Sequence, residues 1–220
     1  MMFFGYNAQF ATPILKGGLY MQGKRLLLAV VSGLAAVSVA APALAQTMSA
    51  PSGWYLELNG GSSHISNTDY PGSSSSSGLG GNGNIGYKFM PYFAAEIGYT
   101  KYANSSIKAG DGTKAANVTH YSYDIAARGI LPISDSGVEA FGKLGAQHIS
   151  SHISLVNNAA ANSIGLGGSS HSSTGLYIGL GGQMYFTPEF AGVVQWQRAQ
   201  GSSGTGTEDL YSIGISFLFV

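Results

Sequence analysis

The chain has 220 residues, ten basic and ten acidic, no cysteine, and charged residues at only 9% of positions. Ordinary soluble domains carry roughly 25%, so much of this surface is not built to face water. The absence of cysteine excludes a disulfide framework and a thiolate metal site, and the absence of any basic face argues against nucleic acid as a partner.

Lys24 and Arg25 precede the apolar run "LLLAVVSGLAAVSVAAPALAQ". A basic start, an apolar centre and the small-residue exit Ala43-Leu44-Ala45 are the layout of a secretory signal peptide. Cleavage is expected after Ala45, making residues 1–45 an N-terminal extension with leader and 46–220 one domain. Such a signal would start at Met21, which leaves residues 1–20 as an upstream extension. All ten acids but only seven bases fall after residue 45, so the mature chain carries a net charge of −3.

Beyond the leader, period-two alternation recurs where a helical period would be needed for helices. The first predicted strand is "WYLELNGG", with Trp54, Leu56 and Leu58 on one face and Tyr55, Glu57 and Asn59 on the other. From Leu79 to Phe89, Leu79, Ile85, Tyr87 and Phe89 alternate with Gly80, Asn82, Asn84 and Lys88. From Phe93 to about Tyr102, Phe93, Ala95, Ile97 and Tyr99 oppose Glu96 and Thr100. "HYSYDIAARGIL" sets Tyr121, Tyr123, Ile125 and Ala127 against His120, Ser122, Asp124 and Arg128. "VEAFGKLGAQH" sets Val138, Ala140, Leu144 and Ala146 against Glu139, Phe141, Lys143 and Gln147. "GLYIGLGGQMYF" alternates Leu176, Ile178, Leu180 and Met184 with Tyr177, Gly179, Gly181 and Gln183. "FAGVVQWQRA" places Phe190, Val194 and Trp196 opposite Gln195 and Gln197. "LYSIGISFLFV" places Tyr211, Ile213, Ile215, Phe217 and Phe219 opposite Ser212, Gly214 and Ser216.

Short turns are predicted at Met90–Tyr92, Pro132–Gly137 and Thr187–Glu189. Long Ser/Gly/Asn-rich links, read as flexible, fall at about 62–78, 103–117, 150–174 and 200–208. Hydrocarbon demands that every backbone polar group be paired internally, so only helices and closed barrels span it. No stretch after residue 45 has about 20 unbroken apolar residues. Eight strands of one-sided greasiness, with short turns on one rim and long loops on the other, predict an all-β fold: a closed eight-stranded antiparallel up-and-down transmembrane β-barrel.

Which face points where follows from size and charge. An eight-stranded lumen is just wide enough for side chains. Trp, Tyr, Phe, Ile and Leu crowd one face, while the other holds small and polar residues with Glu57, Lys88, Glu96, Asp124, Arg128, Glu139 and Lys143. A basic residue at the bilayer midplane costs about 2–4 kcal/mol on the lipid side. The bulky face is therefore predicted to meet lipid, and the seven charges to form an ion-pair network that plugs the lumen. Trp54, Tyr87, Tyr99, Trp196, Tyr211 and Phe219 are read as aromatics at the membrane interfaces.

"GYKFMPYFAAEIGYTKY", "GILPI", "GKLGA" and "YSIGISFLF" resemble the eight-stranded outer-membrane β-barrel family, which includes the transmembrane domain of outer membrane protein A and small relatives implicated in adhesion. The resemblance spans about residues 54–219. It implies the outer membrane of a Gram-negative cell, both termini in the periplasm, and contact with lipid and lipopolysaccharide. It also implies insertion by the barrel-assembly machinery, which reads a terminal aromatic; here Phe219 is followed by Val220. Peptidoglycan binding belongs to a further domain of outer membrane protein A and is not carried over.

Three functions fit this frame. The first is a structural or surface-interaction role, adhesion-like, in which the long loops meet a host or surface ligand. The second is a small porin or ion channel. The third is a lipid A-modifying enzyme, for which His148-Ile149-Ser150 and His152-Ile153-Ser154 offer His-x-Ser pairs. No orienting acid accompanies those pairs, and no enzyme activity or cofactor is expected. His64, His148, His152 and His171 lack an acid or cysteine at ligand spacing, so no metal site is expected either.

Overall fold

A computed structural model describes residues 52–66, 73–74, 77–133 and 136–219. The expected leader, its cleavage site and the end of the chain at Val220 lie outside the described residues.

Among the described residues, ten strands and one short helix follow in order: β1 (Gly53–Ser66), β2 (Ser73–Ser74), β3 (Ser77–Met90), β4 (Phe93–Lys101), β5 (Ser105–Lys108), β6 (Lys114–Ile133), β7 (Val138–Leu155), α1 (Asn158–Ser163), β8 (Ser170–Tyr185), β9 (Phe190–Ala199) and β10 (Thr207–Phe219). β1, β3, β4, β6, β7, β8, β9 and β10 pair antiparallel in that sequence, and β10 returns to β1. The seam runs from Trp54 opposite Phe219 to Ser66 opposite Thr207. This is the closed eight-stranded barrel that the alternation predicts, and closure leaves the ring without a free edge. β2 and β5 form a side ribbon on β6 at the long-loop rim.

Along every ring strand the buried positions point inward and the exposed ones outward. Glu57 is fully buried between Leu56 and Leu58, and Ile213, Leu131 and Ile125 are 68%, 66% and 63% exposed. An isolated exposed Leu means little, but a continuous belt of them marks a surface made for an apolar solvent.

The long links are shorter than the sequence suggests. β6 runs 20 residues and β7 18, well past the roughly ten that a tilted strand needs to cross a bilayer. The excess stands above the barrel at the long-loop rim, and there the polarity of the two faces reverses. Ala116 and Val118 on β6, Ile149 and Ile153 on β7, and Ile65 on β1 point inward, while Asn117, Thr119, Ser150, His152 and His64 point outward. Below this line the barrel is greasy outside; above it the barrel has the ordinary polarity of a water-soluble protein.

The links at 103–117 and 150–174 are also not the featureless polar loops that their composition suggests. Ile107, Ala109, Ala115, Ala116, Val118, Ile153, Ala160, Ala161 and Leu166 form one apolar cluster. α1 supplies part of it, capped by the Asn157 side chain, which accepts from the Ala160 N–H. β5, α1 and the extended ends of β6 and β7 thus make a small head with its own core.

Glycine matters most where a ring needs room. The Tyr55 ring lies over Gly86 and donates its hydroxyl to Glu96 Oε2 at 2.8 Å. A methyl group at Gly86 would overlap the ring carbons. Gly86→Ala should therefore cost about 1–3 kcal/mol as overpacking, read as a lower urea midpoint of the folded barrel in vesicles; an unchanged midpoint would contradict this packing.

Candidate functional site

The inner face of the barrel collects all seven charged residues predicted for it. Arg128 stands at the centre: Nη1 donates to Glu57 Oε2 at 2.8 Å and lies 3.7 Å from Glu96 Oε2, while Nη2 donates to Gln183 Oε1 at 2.6 Å. Its guanidinium carbon is 3.7 Å from the centre of the Phe141 ring, a cation–π contact shielded from water. Lys143 Nζ is 2.8 Å from Glu96 Oε1 and 3.3 Å from Glu57 Oε1. Lys88 Nζ pairs with Glu139 Oε1 at 2.9 Å, and Gln183 ties Glu139 to the Arg128 group.

Glu57 is the most heavily bonded acceptor. Besides Arg128 and Lys143 it receives Asn59 Nδ2 at 2.9 Å and Asn84 Nδ2 at 3.1 Å. Asp124 differs from the other three acids. It is buried on the same face, yet neither of its oxygens has a hydrogen-bond partner and it joins no ion pair among the described residues.

Layers of other chemistry lie on both sides of the charges. Toward the short-turn rim, Tyr55, Ala94, Ile130, Phe141, Val193 and Leu218 pack together. Toward the long-loop rim comes a run of amides: Asn82 Nδ2 donates to Gln197 Oε1 at 3.0 Å, and Gln197 Nε2 donates to Thr100 Oγ1 at 2.9 Å. Above them Tyr102, Ile149, Ala199 and Leu210 form a second apolar layer, and His120 Nδ1 lies 3.0 Å from Glu208 Oε1, both side chains fully buried. The alternation places Tyr55, Gln183 and His120 on this inner face but gives them no part in the network, which the structure shows through Tyr55–Glu96, Gln183–Glu139 and His120–Glu208. Glu208 is absent from that reading because its strand was read only from Leu210, whereas β10 starts at Thr207.

The six aromatics stand on the outer face in two groups. Trp54, Tyr87 and Phe219 lie near the short-turn rim, where Trp54 and Tyr87 meet edge to face at 5.2 Å and Phe219 meets Phe217 at 4.7 Å. Tyr99, Trp196 and Tyr211 lie at the level where the polarity reverses. Tyr99 is 5.2 Å from Tyr123, and Trp196 Nε1 donates to Asp209 at 3.0 Å beside the bidentate Arg198–Asp209 pair.

The histidines of the His-x-Ser pairs point outward from the head and bond elsewhere, His148 with Thr174 and His152 with Ser170. His64 and His171 bond to Ser77 and Ser169. Among the described residues no group of three or more His, Cys, Asp and Glu side chains is placed to hold a metal ion.

A sequence model described as the outer membrane protein beta-barrel domain matches residues 30–219. The chain belongs to this family. Solved barrels agree in fold. The outer membrane protein OprG of Pseudomonas aeruginosa is 15% identical, with a TM-score of 0.57 over 78% of this chain and 99% of its own. Ail, the attachment invasion locus protein of Yersinia pestis, is 18% identical, with a TM-score of 0.52 over 77% of this chain and 100% of its own. Neisserial surface protein A is 17% identical, with a TM-score of 0.52 over 76% and 97%. A search of curated proteins found no significant match. Membership makes this an outer-membrane barrel protein, and the inverted polarity of its wall below the head is the physical expression of that location.

Proposed function

We propose that the protein is a closed membrane anchor that presents its head outside the cell for contact with a surface ligand. Its termini lie in the periplasm, and the barrel-assembly machinery inserts it. The observation that carries this reading is the filled lumen. At its short-turn end the free volume between Tyr55, Lys88, Arg128, Tyr185 and Leu218 is about 10 Å³, no more than one water needs. A fixed wall of ion pairs and amides supports a plug rather than a path.

The head supports the surface role. It has a core of its own, and among the described residues Lys101, Lys108 and Lys114 are exposed there beside a single exposed acid, Asp111. That balance favours an anionic ligand. Ail has been solved in complex with the heparin analogue sucrose octasulfate, which supports the same class of ligand here.

The charged lumen also favours a second reading, a small channel. One experiment separates them. Protein in planar bilayers is expected to give no large, steady conductance. Cells displaying it should bind an anionic surface, and should lose that binding when 104–112 and 157–168 are replaced by short turns that leave the barrel folded. A steady open conductance with unchanged attachment would favour the channel.

A further inference from the structure

The lumen charges do not balance. Glu57, Glu96, Asp124 and Glu139 face Lys88, Arg128 and Lys143, so one negative charge is in excess within the spanning part of the barrel. The bonding identifies which one it is. Lys88 is committed to Glu139, while Arg128 and Lys143 are committed to Glu57 and Glu96. Asp124, 7% exposed, is left with two oxygens that accept nothing. A lone buried carboxylate is costly unless something positive meets it.

Lys143 acts on Asp124 from beyond bonding distance while it is bound to Glu57 and Glu96, and on the Gly98 side the neighbours of Asp124 are oxygens. Across Gly98, its β4 neighbour, lies Asn84 on β3. A Cβ at Gly98 would stand 2.5 Å from Asn84 Oδ1 and 2.6 and 2.7 Å from the two Asp124 oxygens, so all three converge on the open side of the glycine. On the other side Asp124 pairs with Gln147 of β7, whose Oε1 is buried and also has no hydrogen-bond partner. The network fixes the orientation of both amides. Asn84 Nδ2 is held by Glu57 at 3.1 Å and Gln147 Nε2 by the Gln200 carbonyl at 2.9 Å, which turns both amide oxygens away from those partners; Asn84 Oδ1 also accepts one long bond from Asn82 Nδ2 at 3.4 Å, which leaves a lone pair for a cation.

We infer that Asp124, Asn84 and Gln147 form a binding site for one alkali metal cation inside the barrel. Oxygen-only donors suit a hard cation. The single carboxylate and the single surplus charge select a monovalent ion over Ca²⁺ or Mg²⁺, which recruit more carboxylates. The site closes the charge balance of the lumen without another basic side chain, and Gly98 supplies the room.

The test uses the whole barrel folded in lipid vesicles. Urea unfolding is followed at fixed pH and ionic strength while Na⁺ replaces choline, which is too large to enter. Above the dissociation constant the folding equilibrium constant should rise about tenfold for each tenfold rise in Na⁺. Asp124→Asn removes the charge at constant shape, and Gly98→Ala fills the space while keeping the charge; both should abolish the Na⁺ dependence while keeping the heat-modifiable gel mobility of a folded barrel. A measurement on the unaltered protein complements them: crystals soaked in Tl⁺ should show an anomalous peak between Asp124, Asn84 and Gln147. A midpoint indifferent to Na⁺ but rising as pH falls would mean that a proton neutralises Asp124. That result, or a Tl⁺ map with no peak at Asp124, overturns the site.

Discussion

Arg128→Ala should lower the stability of the folded barrel by about 3–5 kcal/mol, because it strips two buried carboxylates of their shared cation. Glu57 would keep only Lys143 as a positive partner, and Gln183 Oε1 would lose its donor. Arg128→Lys should rescue only part of the loss. An ammonium cannot fork between Glu57 and Gln183 while lying flat on Phe141, as the guanidinium does. The measurement is the urea midpoint in vesicles for each variant and for Arg128→Ala combined with Glu57→Gln. If the charges act as one unit, the double variant should be less damaging than the sum of the singles. A loss below about 1 kcal/mol for Arg128→Ala would mean that the network is not what fills and fixes the lumen.

Ile125→Arg should cost about 2–4 kcal/mol, the penalty for a guanidinium on the lipid side near the midplane. Ile125 is level with Ile97 of β4 and 63% exposed, so no protein packing is disturbed and solvation alone decides the outcome. Thr119→Arg is the paired experiment. Thr119 lies on the same strand and the same outer face, three alternations further toward the head, where the polarity has reversed. There the substitution should cost close to nothing, because a surface arginine in water is neutral to stability. Equal effects at the two positions would remove the basis for placing the membrane boundary at the level of Tyr99, Trp196 and Tyr211.

Parity made the spanning part of this fold legible. Each ring strand shows bulky residues at alternate places, and the charges that cannot face lipid mark the opposite side; Glu57, Lys88, Arg128 and Lys143 could be placed inward from that alone. The head escaped the same reading for a physical reason. At Thr119 on β6 and at Ser150 on β7 the greasy parity passes to the other face, and the residues concerned are small, so a scan for one-sided bulk stops there. Ser150, His152 and Ser154 then look like loop, although they continue β7 to Leu155. The fate of Asp124 was equally hidden. Counting four acids and three bases reveals a surplus, but only distances show which carboxylate is left over.

The seam between β1 and β10 sets the order in which this molecule can be completed. Every other pairing in the ring joins strands that follow one another along the chain, apart from the small ribbon strands, so a ribbon can grow hairpin by hairpin from local encounters. Trp54 and Phe219 meet only once the last strand exists. Until then two edges of unpaired amides and carbonyls stand open, which hydrocarbon does not tolerate. Assembly is thus a single late commitment: something other than lipid must shelter those edges until the cylinder locks, and from that moment neither edge is available to a neighbouring chain.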